Sequence, residues 1–229
     1  MDAAALTRWR LNERDRLVAL RDALDDETCR AWRLLMDSHL ERAFPGLAGA
    51  TIGLCWPIRN EYDPRHLAHR LRARGARTAL PVVTGRGKPL VFRAWTPGVR
   101  LARGALGIPY PADTPELTPQ AMLVPMNGWD PGGFRLGYGA GFFDRTLAAC
   151  AKKPVVIGVS YEMARLETIR PQAWDIPMDW VVTERGVYRR EEAGLVFLGA
   201  PPAGGAAALA SPVCYAAELD PGYFGAPNT

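Results

Sequence analysis

Ala121-Met122-Leu123-Val124-Pro125-Met126 is followed by Asn127-Gly128-Trp129-Asp130-Pro131-Gly132-Gly133-Phe134-Arg135-Leu136-Gly137-Tyr138-Gly139-Ala140-Gly141, then by Phe142 to Lys152, then by Pro154-Val155-Val156-Ile157-Gly158-Val159-Ser160-Tyr161. The first run is short and apolar and reads as a buried strand. The second is a glycine-rich loop, and the third has the length and pattern of a helix. The fourth is apolar on both faces, as a central strand covered on both sides must be. Strand, loop, helix and strand in this order build a parallel pair with a crossover.

The same alternation extends upstream. Thr51 to Trp56 reads as a buried strand stopped by Pro57. A helix follows, with Asp63 as cap, Pro64 at its first position, Leu67 and Leu71 inward and Gly75 past its end. Arg77 to Val83 is the next strand, and Leu90 to Trp95 an edge strand across the Gly85-Arg86-Gly87 turn. Two helices come first. Thr7 to Leu24 turns Leu17, Leu20 and Leu24 inward; the second, capped by Asp25 or Asp26, turns Ala31, Leu34, Leu35 and Leu40 inward and closes at Pro45-Gly46. Gly98 to Pro119, with Pro109, Pro111, Pro115 and Pro119, reads as loop, and Trp180 to Thr183 as a last short strand before a turn at Arg185-Gly186. The expectation is an α/β fold: a mainly parallel sheet flanked by helices on both faces, forming a single compact three-layer domain over residues 1–199. Residues 200–229 form an irregular Gly/Ala/Pro-rich tail, and there is no internal repeat.

Composition narrows the classes. The chain has 229 residues, 48% hydrophobic and 23% charged, a balance that argues against disorder. Four cysteines lie far apart without a C-x-x-C pair, and three histidines have no cysteine near them, so a structural zinc site is excluded. The first residues reach Arg8, Arg10 and Arg14 too soon for a secretory signal, and free thiols in the cytoplasm are the expectation. Ala193 to Ala217 carries no charge, but its prolines and alanines read as an irregular tail, not a membrane span. The net charge of +4 is too small to imply nucleic acid unless it is gathered on one face.

The chemistry lies in the loop. Gly137, Gly139 and Gly141 alternate, so backbone amides can approach an anion closely beside a helix N-terminus. Neither a Walker A ending nor the dinucleotide glycine spacing is present. A tight turn is the plain alternative, and the flanking Arg135 and Asp144 favour a phosphate site with a cation.

Arg135-Leu136-Gly137-Tyr138-Gly139-Ala140-Gly141-Phe142-Phe143-Asp144 is close to R-L-G-x-G-x-G-Y-Y-D, and here the chain resembles the 5-formyltetrahydrofolate cyclo-ligase family. The Gly128-Trp129-Asp130 lead-in, Glu61 after a strand, Leu80-Pro81, Gly107-Ile108-Pro109 and Asp175-Ile176-Pro177-Met178-Asp179 agree in order, over Leu6 to Glu184. The resemblance implies ATP-dependent closure of 5-formyltetrahydrofolate to 5,10-methenyltetrahydrofolate, with release of ADP and phosphate through a phosphorylated formyl group. It implies ATP contacts at Arg10, Arg14 and Arg135 through Phe143, with Arg135 and Asp144 catalytic. Folate contacts fall at Trp56, Glu61 and Tyr138 to Phe142, and Mg²⁺ at Asp144 and Asp175. The expected partners are small molecules, with no membrane and no nucleic acid.

Each residue also has a plainer reading. Arg10 and Arg14 could be a solvated basic face, Asp144 a first-turn acid, Asp175 a loop acid and Trp56 core. Three departures stand out: Arg10 in place of lysine, Phe142-Phe143 in place of two tyrosines, and Ala140 where some members carry lysine. A folate- or nucleotide-binding protein without turnover is the alternative function, and a nucleic-acid-binding module a weaker third.

Overall fold

The computed structural model describes residues 2–104 and 107–201. Five strands run parallel: β1 (Thr51–Gly53), β2 (Arg77–Val83), β6 (Ala121–Pro125), β9 (Val155–Val159) and β10 (Trp180–Thr183). Antiparallel neighbours extend both ends: β3 (Leu90–Ala94) beyond β2, and β11 (Gly186–Glu191) with β12 (Gly194–Gly199) beyond β10. The order across the eight-stranded sheet is β12-β11-β10-β9-β6-β1-β2-β3.

Both faces are covered, because the central strands are apolar on both sides. Leu80, Leu123, Ile157 and Val182 pack against α2 (Asp26–Ala43) and α3 (Arg65–Ala73), whose Met36, Leu40, Leu67 and Leu71 are buried. Their strand neighbours Ala79, Met122, Val124, Val156 and Val181 turn to the other face. There they meet Leu17 of α1 (Ala3–Asp22) and Leu147 of α4 (Phe142–Ala149). The period-two alternation of a strand divides these residues between two cores.

The order of connections positions the site. The chain leaves β1 through α3 toward β2 on one side, and leaves β6 through α4 toward β9 on the other. Right-handed crossovers in opposite directions put the two helices on opposite faces, opening a crevice between the carboxyl ends of β1 and β6.

Local signals read well where the caps are strong. Asp63 Oδ1 accepts the Arg65 N–H at 2.9 Å at the start of α3, and Gly75 ends it with φ +98°. Asp25 Oδ1 accepts from Thr28 N–H at 2.6 Å and starts α2.

Several expectations are corrected. Leu40 is buried as expected, but Leu35 is 47% exposed and Ala31 exposed; α2 instead buries Met36, Asp37 and His39. Asp37 meets Tyr62 Oη at 2.6 Å and Arg33 at 2.9 Å, so a carboxylate occupies a position that apolar periodicity gives to leucine. In α1 Leu20 is exposed while Arg21 is buried, and Leu24, half-buried, lies past the end of the helix at Asp22. Gly98 to Pro119 contains a two-stranded ribbon, β4 (Leu101–Arg103) with β5 (Pro109–Pro111). The glycine loop holds another, β7 (Gly128–Trp129) with β8 (Arg135–Leu136). Nor is Trp180–Thr183 the last strand. Tyr188-Arg189-Arg190-Glu191 lacks an apolar run because half of β11 faces solvent, and β12 at the sheet edge occupies the start of the charge-free stretch. Residues 202–229, most of the expected tail, lie outside the described residues.

Helix α1 sits on the β7–β8 ribbon. A Cβ added to Gly128 would stand 2.7 Å from Cδ1 of the buried Leu17, so only glycine admits the helix this close. Gly128→Ala is expected to cost about 1–3 kcal/mol of stability by overpacking. Thermal unfolding measures it, and an unchanged melting temperature would show that Leu17 swings aside freely.

Candidate active site

A cavity of about 730 Å³ occupies the crevice at the strand ends, within the usual range of small-molecule sites. It is lined by every residue expected from the sequence: Arg10, Arg14, Trp56, Glu61, Arg135 to Asp144 and Asp175. They come from four separate segments, and the fold alone brings them together.

The first segment is α1. Arg10, Arg14, Leu17 and Arg21 are spaced four, three and four apart, so they form one stripe, and this stripe faces inward. Arg10 is only 13% exposed at its side chain; its Nη2 donates to Asp175 Oδ2 at 2.5 Å and to the Arg170 carbonyl at 2.8 Å. Arg14 Nε donates to the Gly137 carbonyl at 2.6 Å, and its guanidinium lies over Gly139. A solvated basic face is therefore not what these residues form. Burial and the neighbouring Arg10 both lower the proton affinity of Arg14, as expected where cations gather without enough anions.

The second segment is the glycine loop. Gly139 and Gly141 have φ of +94° and +63°, a left-handed conformation that side chains rarely adopt. Gly141 is the N-cap of α4 and offers no side-chain acceptor, so the first-turn N–H groups remain free for a ligand. Arg135, 5% exposed at its side chain, donates from Nη1 to the Ile176 carbonyl at 2.8 Å and pairs through Nη2 with Asp144 Oδ1 at 2.8 Å. Its guanidinium is 5.9 Å from the Phe143 ring centre, and Arg145 is 5.3 Å from that of Phe142. The two rings that lack hydroxyls thus still pack against cations.

Asp144 and Asp175 are the acids of the site. Asp144 Oδ1 also accepts the Ile176 N–H at 3.0 Å, and Asp175 Oδ2 accepts the Gln172 N–H at 2.7 Å. Asp144 does stand in the first turn of α4, and each of the two also binds a buried arginine of the cavity. One oxygen of each, Asp144 Oδ2 and Asp175 Oδ1, takes no hydrogen bond among the described residues. Those residues hold no cluster of three His, Cys, Asp or Glu suited to a metal. Two half-used carboxylates fit Mg²⁺, which commonly takes one or two carboxylates and completes its shell with phosphate and water.

On the opposite wall, Glu61 follows β1. Its Oε1 accepts the Tyr138 hydroxyl at 2.9 Å, and its Oε2 accepts the Ile58 N–H at 3.1 Å. Burial pushes its carboxyl above the usual glutamate range, against the opposing pull of Arg21 and these hydrogen bonds. Trp56 is half-buried, edge-on to Trp95 at 6.2 Å and under the Arg65 guanidinium at 4.8 Å. It is a wall with one face on the core.

Sequence reasoning missed Arg21, Arg145, Trp174 and the β4–β5 ribbon, whose Gly104, Ile108 and Tyr110 line the cavity. The position of Arg21 on the Arg10–Arg14–Leu17 stripe was a signal within reach. The ribbon gave one only through Gly107-Ile108-Pro109 among the family marks, because its residues meet the cavity only through the fold.

An α/β sheet with an arginine-rich glycine loop at its switch point defines a class of small-anion and nucleotide sites. Comparison with known proteins narrows this. The sequence profile of the 5-formyltetrahydrofolate cyclo-ligase family matches residues 6–184, and the chain belongs to that family. It is 34% identical over 150 residues to the 5-formyltetrahydrofolate cyclo-ligase of Mycolicibacterium smegmatis, covering 62% of this chain and 77% of that protein. It is 29% identical over 151 residues to that of Escherichia coli K12, covering 63% and 83%. Among solved structures, the 5,10-methenyltetrahydrofolate synthetase of Aquifex aeolicus superposes with a TM-score of 0.68 at 28% identity, over 79% of this chain and 92% of that one.

Proposed function

We propose that this protein catalyses the ATP-dependent cyclisation of 5-formyltetrahydrofolate to 5,10-methenyltetrahydrofolate, releasing ADP and phosphate. The observation that carries the reading is that Arg10, Arg14, Arg135 and Arg145 line one cavity with the glycine loop, and that Glu61 lines the same cavity. Polyphosphate calls for the first arrangement, and a heterocycle rich in N–H donors for the second.

The reaction needs positioning and charge neutralisation more than acid–base groups. The formyl oxygen attacks the γ-phosphorus and ADP leaves; the neighbouring folate nitrogen then closes the ring and phosphate departs. Arg14, which has no ion pair among the described residues, and the free amides of the loop receive phosphate oxygens. Arg135 and Arg10 do the same from a buried setting, where their charge is poorly screened. Trp56 and Glu61 hold the folate ring with its formyl group toward the loop. Phe142 and Phe143 keep Arg145 and Arg135 in place and exclude water. Asp144 and Asp175 would hold Mg²⁺, which supplies further neutralisation of phosphate charge when bound.

The reading assigns the chemistry to residues 1–199, with segment 200–229 outside it. It includes a cytoplasmic location, supported by the free thiols of Cys29, Cys55 and Cys150. It includes no nucleic-acid partner, since the basic stripe of α1 is turned into the cavity. No helix among the described residues is long and apolar enough to cross a membrane.

The test is ADP release and methenyl product absorbance with Mg-ATP, each required to depend on 5-formyltetrahydrofolate. Binding of both ligands without product would establish the non-catalytic alternative. Glu61→Ala is expected to weaken 5-formyltetrahydrofolate at least about tenfold, from an unpaired buried donor, while ATP affinity stays within about twofold. Calorimetric titration with each ligand measures both, and equal weakening of the two would remove Glu61 from the folate side.

A further inference from the structure

Arg21 lines no part of the main cavity, yet it is tied to three of the segments that build it. Its side chain is 6% exposed. Nε donates to the Arg59 carbonyl at 2.7 Å, Nη1 to Asn127 Oδ1 at 3.0 Å and Nη2 to the Tyr138 hydroxyl at 3.0 Å. The same Nη2 stands 3.8 Å from Glu61 Oε1, which also accepts the Tyr138 hydroxyl proton. One guanidinium thus joins the loop after β1, the end of β6 and the first turn of the glycine loop to helix α1.

We propose that Arg21 is a positioning residue for the substrate: it fixes Glu61 as an ionised, correctly aimed acceptor and holds the Tyr138 hydroxyl as the donor that orients it. This rests on the reading of Glu61 as a contact to the folate heterocycle. The tyrosine hydroxyl has one proton and gives it to Glu61; Arg21, a donor only, can approach that oxygen only on its lone pairs. The arginine therefore sets the direction of the tyrosine hydrogen bond. A charged, always protonated partner also lets a carboxylate survive burial without taking up a proton.

The groups facing Glu61 can be named element by element. Arg21 comes from α1, Tyr138 from the glycine loop, and the Ile58 N–H from its own loop. Cys55, after β1, has its thiol pushed up by burial and by Glu61 and stays neutral. The Arg59 side chain turns away to Asp22. Arg21 is thus the one cation within 4 Å of the carboxylate among the described residues. Without it, the folded-state pKa of Glu61, already raised by burial, rises further. Below that pKa the carboxyl is protonated, so one oxygen becomes a donor and the other loses the charge that strengthens its bond to a ligand N–H; as pH rises through it, the ionised acceptor returns.

The experiment compares wild type, Arg21→Met, Arg21→Lys and Arg21→Met/Glu61→Gln. Affinity for 5-formyltetrahydrofolate and for ATP is titrated from pH 6.5 to 9, with melting temperature recorded alongside. Arg21→Met is expected to bind the folate at least about tenfold more weakly at pH 7 and to recover as pH rises, with ATP affinity within about threefold. Wild type, with Arg21 in place, should change less over the range than Arg21→Met. Adding Glu61→Gln should remove the recovery, and Arg21→Lys should give weaker binding with the pH profile of wild type. A pH-independent loss in Arg21→Met, or an equal loss for ATP, would overturn the proposal and leave Arg21 a scaffold residue. If Arg21→Met fails to fold, Arg21→Lys decides: a folate affinity equal to wild type would count against a guanidinium-specific role. If wild type does not bind 5-formyltetrahydrofolate at all, the functional reading fails first. The carbon NMR titration of Glu61 in wild type and Arg21→Lys then still tests Arg21, since a carboxyl titrating identically in both would refute its control of Glu61.

Discussion

Asp144→Asn is expected to reduce turnover by at least about 100-fold while folate affinity changes little. Asparagine keeps the shape and its carbonyl can still accept the Ile176 N–H, but the negative charge beside Arg135 is lost. Two consequences separate. The buried guanidinium loses its ion pair, which costs about 2–3 kcal/mol of stability, or roughly 5–10 °C for a chain of this size. The second carboxylate available for Mg²⁺ also disappears, so the Mg²⁺ concentration for half-maximal turnover should rise. Kinetics at 25 °C across a Mg²⁺ series, with melting curves, measure both. A lower melting temperature with turnover within a few-fold of wild type and an unchanged Mg²⁺ requirement would make Asp144 a structural partner of Arg135 only. The depressed stability should also be recovered in part by saturating ATP if Arg135 meets phosphate, because a ligand that binds only the folded state stabilises it.

Arg14→Ala should be nearly as damaging to activity and far milder to the fold. The side chain makes one hydrogen bond, to the Gly137 carbonyl at 2.6 Å, and no ion pair among the described residues. Its loss leaves no buried charge unpaired, so the melting temperature is expected to stay within about 3 °C. The affinity for ATP should fall at least about tenfold, and turnover by about 100-fold, if this guanidinium receives phosphate. Removing residues 1–14 takes Arg10 as well, and turnover should become undetectable while Leu17 and Val18 still anchor the rest of α1 on the sheet. Near-normal kinetics in both variants would return α1 to a packing role. Arg10 alone is a poorer probe, because its removal frees Asp175 and changes the electrostatics of two groups together.

These expectations depend unequally on sequence. The caps at Asp25 and Asp63, the strand runs at residues 77–83, 121–125 and 180–183 and the glycine loop between strand and helix were legible, because each is a contact or a pattern within a few residues. The loop motif with Asp144, and its spacing from β6, was equally local. Harder to read were elements whose residues are chosen by something distant. Leu20 and Leu35 look like core by period, but the inward stripes of α1 and α2 instead carry Arg21 and Asp37, each buried only because a partner from another segment satisfies it. The β11–β12 edge carries charges and exposed apolar residues, since half of it has no layer above it.

What the sequence determined by itself is the strand–helix alternation of the central sheet, its cover on both faces, the glycine loop and the chemical types gathered there. These follow from backbone stereochemistry and from periodicity, which act over one or two turns of chain. Only the tertiary structure decided that Arg10 meets Asp175 across 165 residues, that Arg135 closes on Asp144, and that Glu61 faces Tyr138 over the crevice. The physical reason is the switch in crossover direction between β1 and β6. It places the ends of two remote strands side by side, and the buried charges that meet there are tolerable only as pairs.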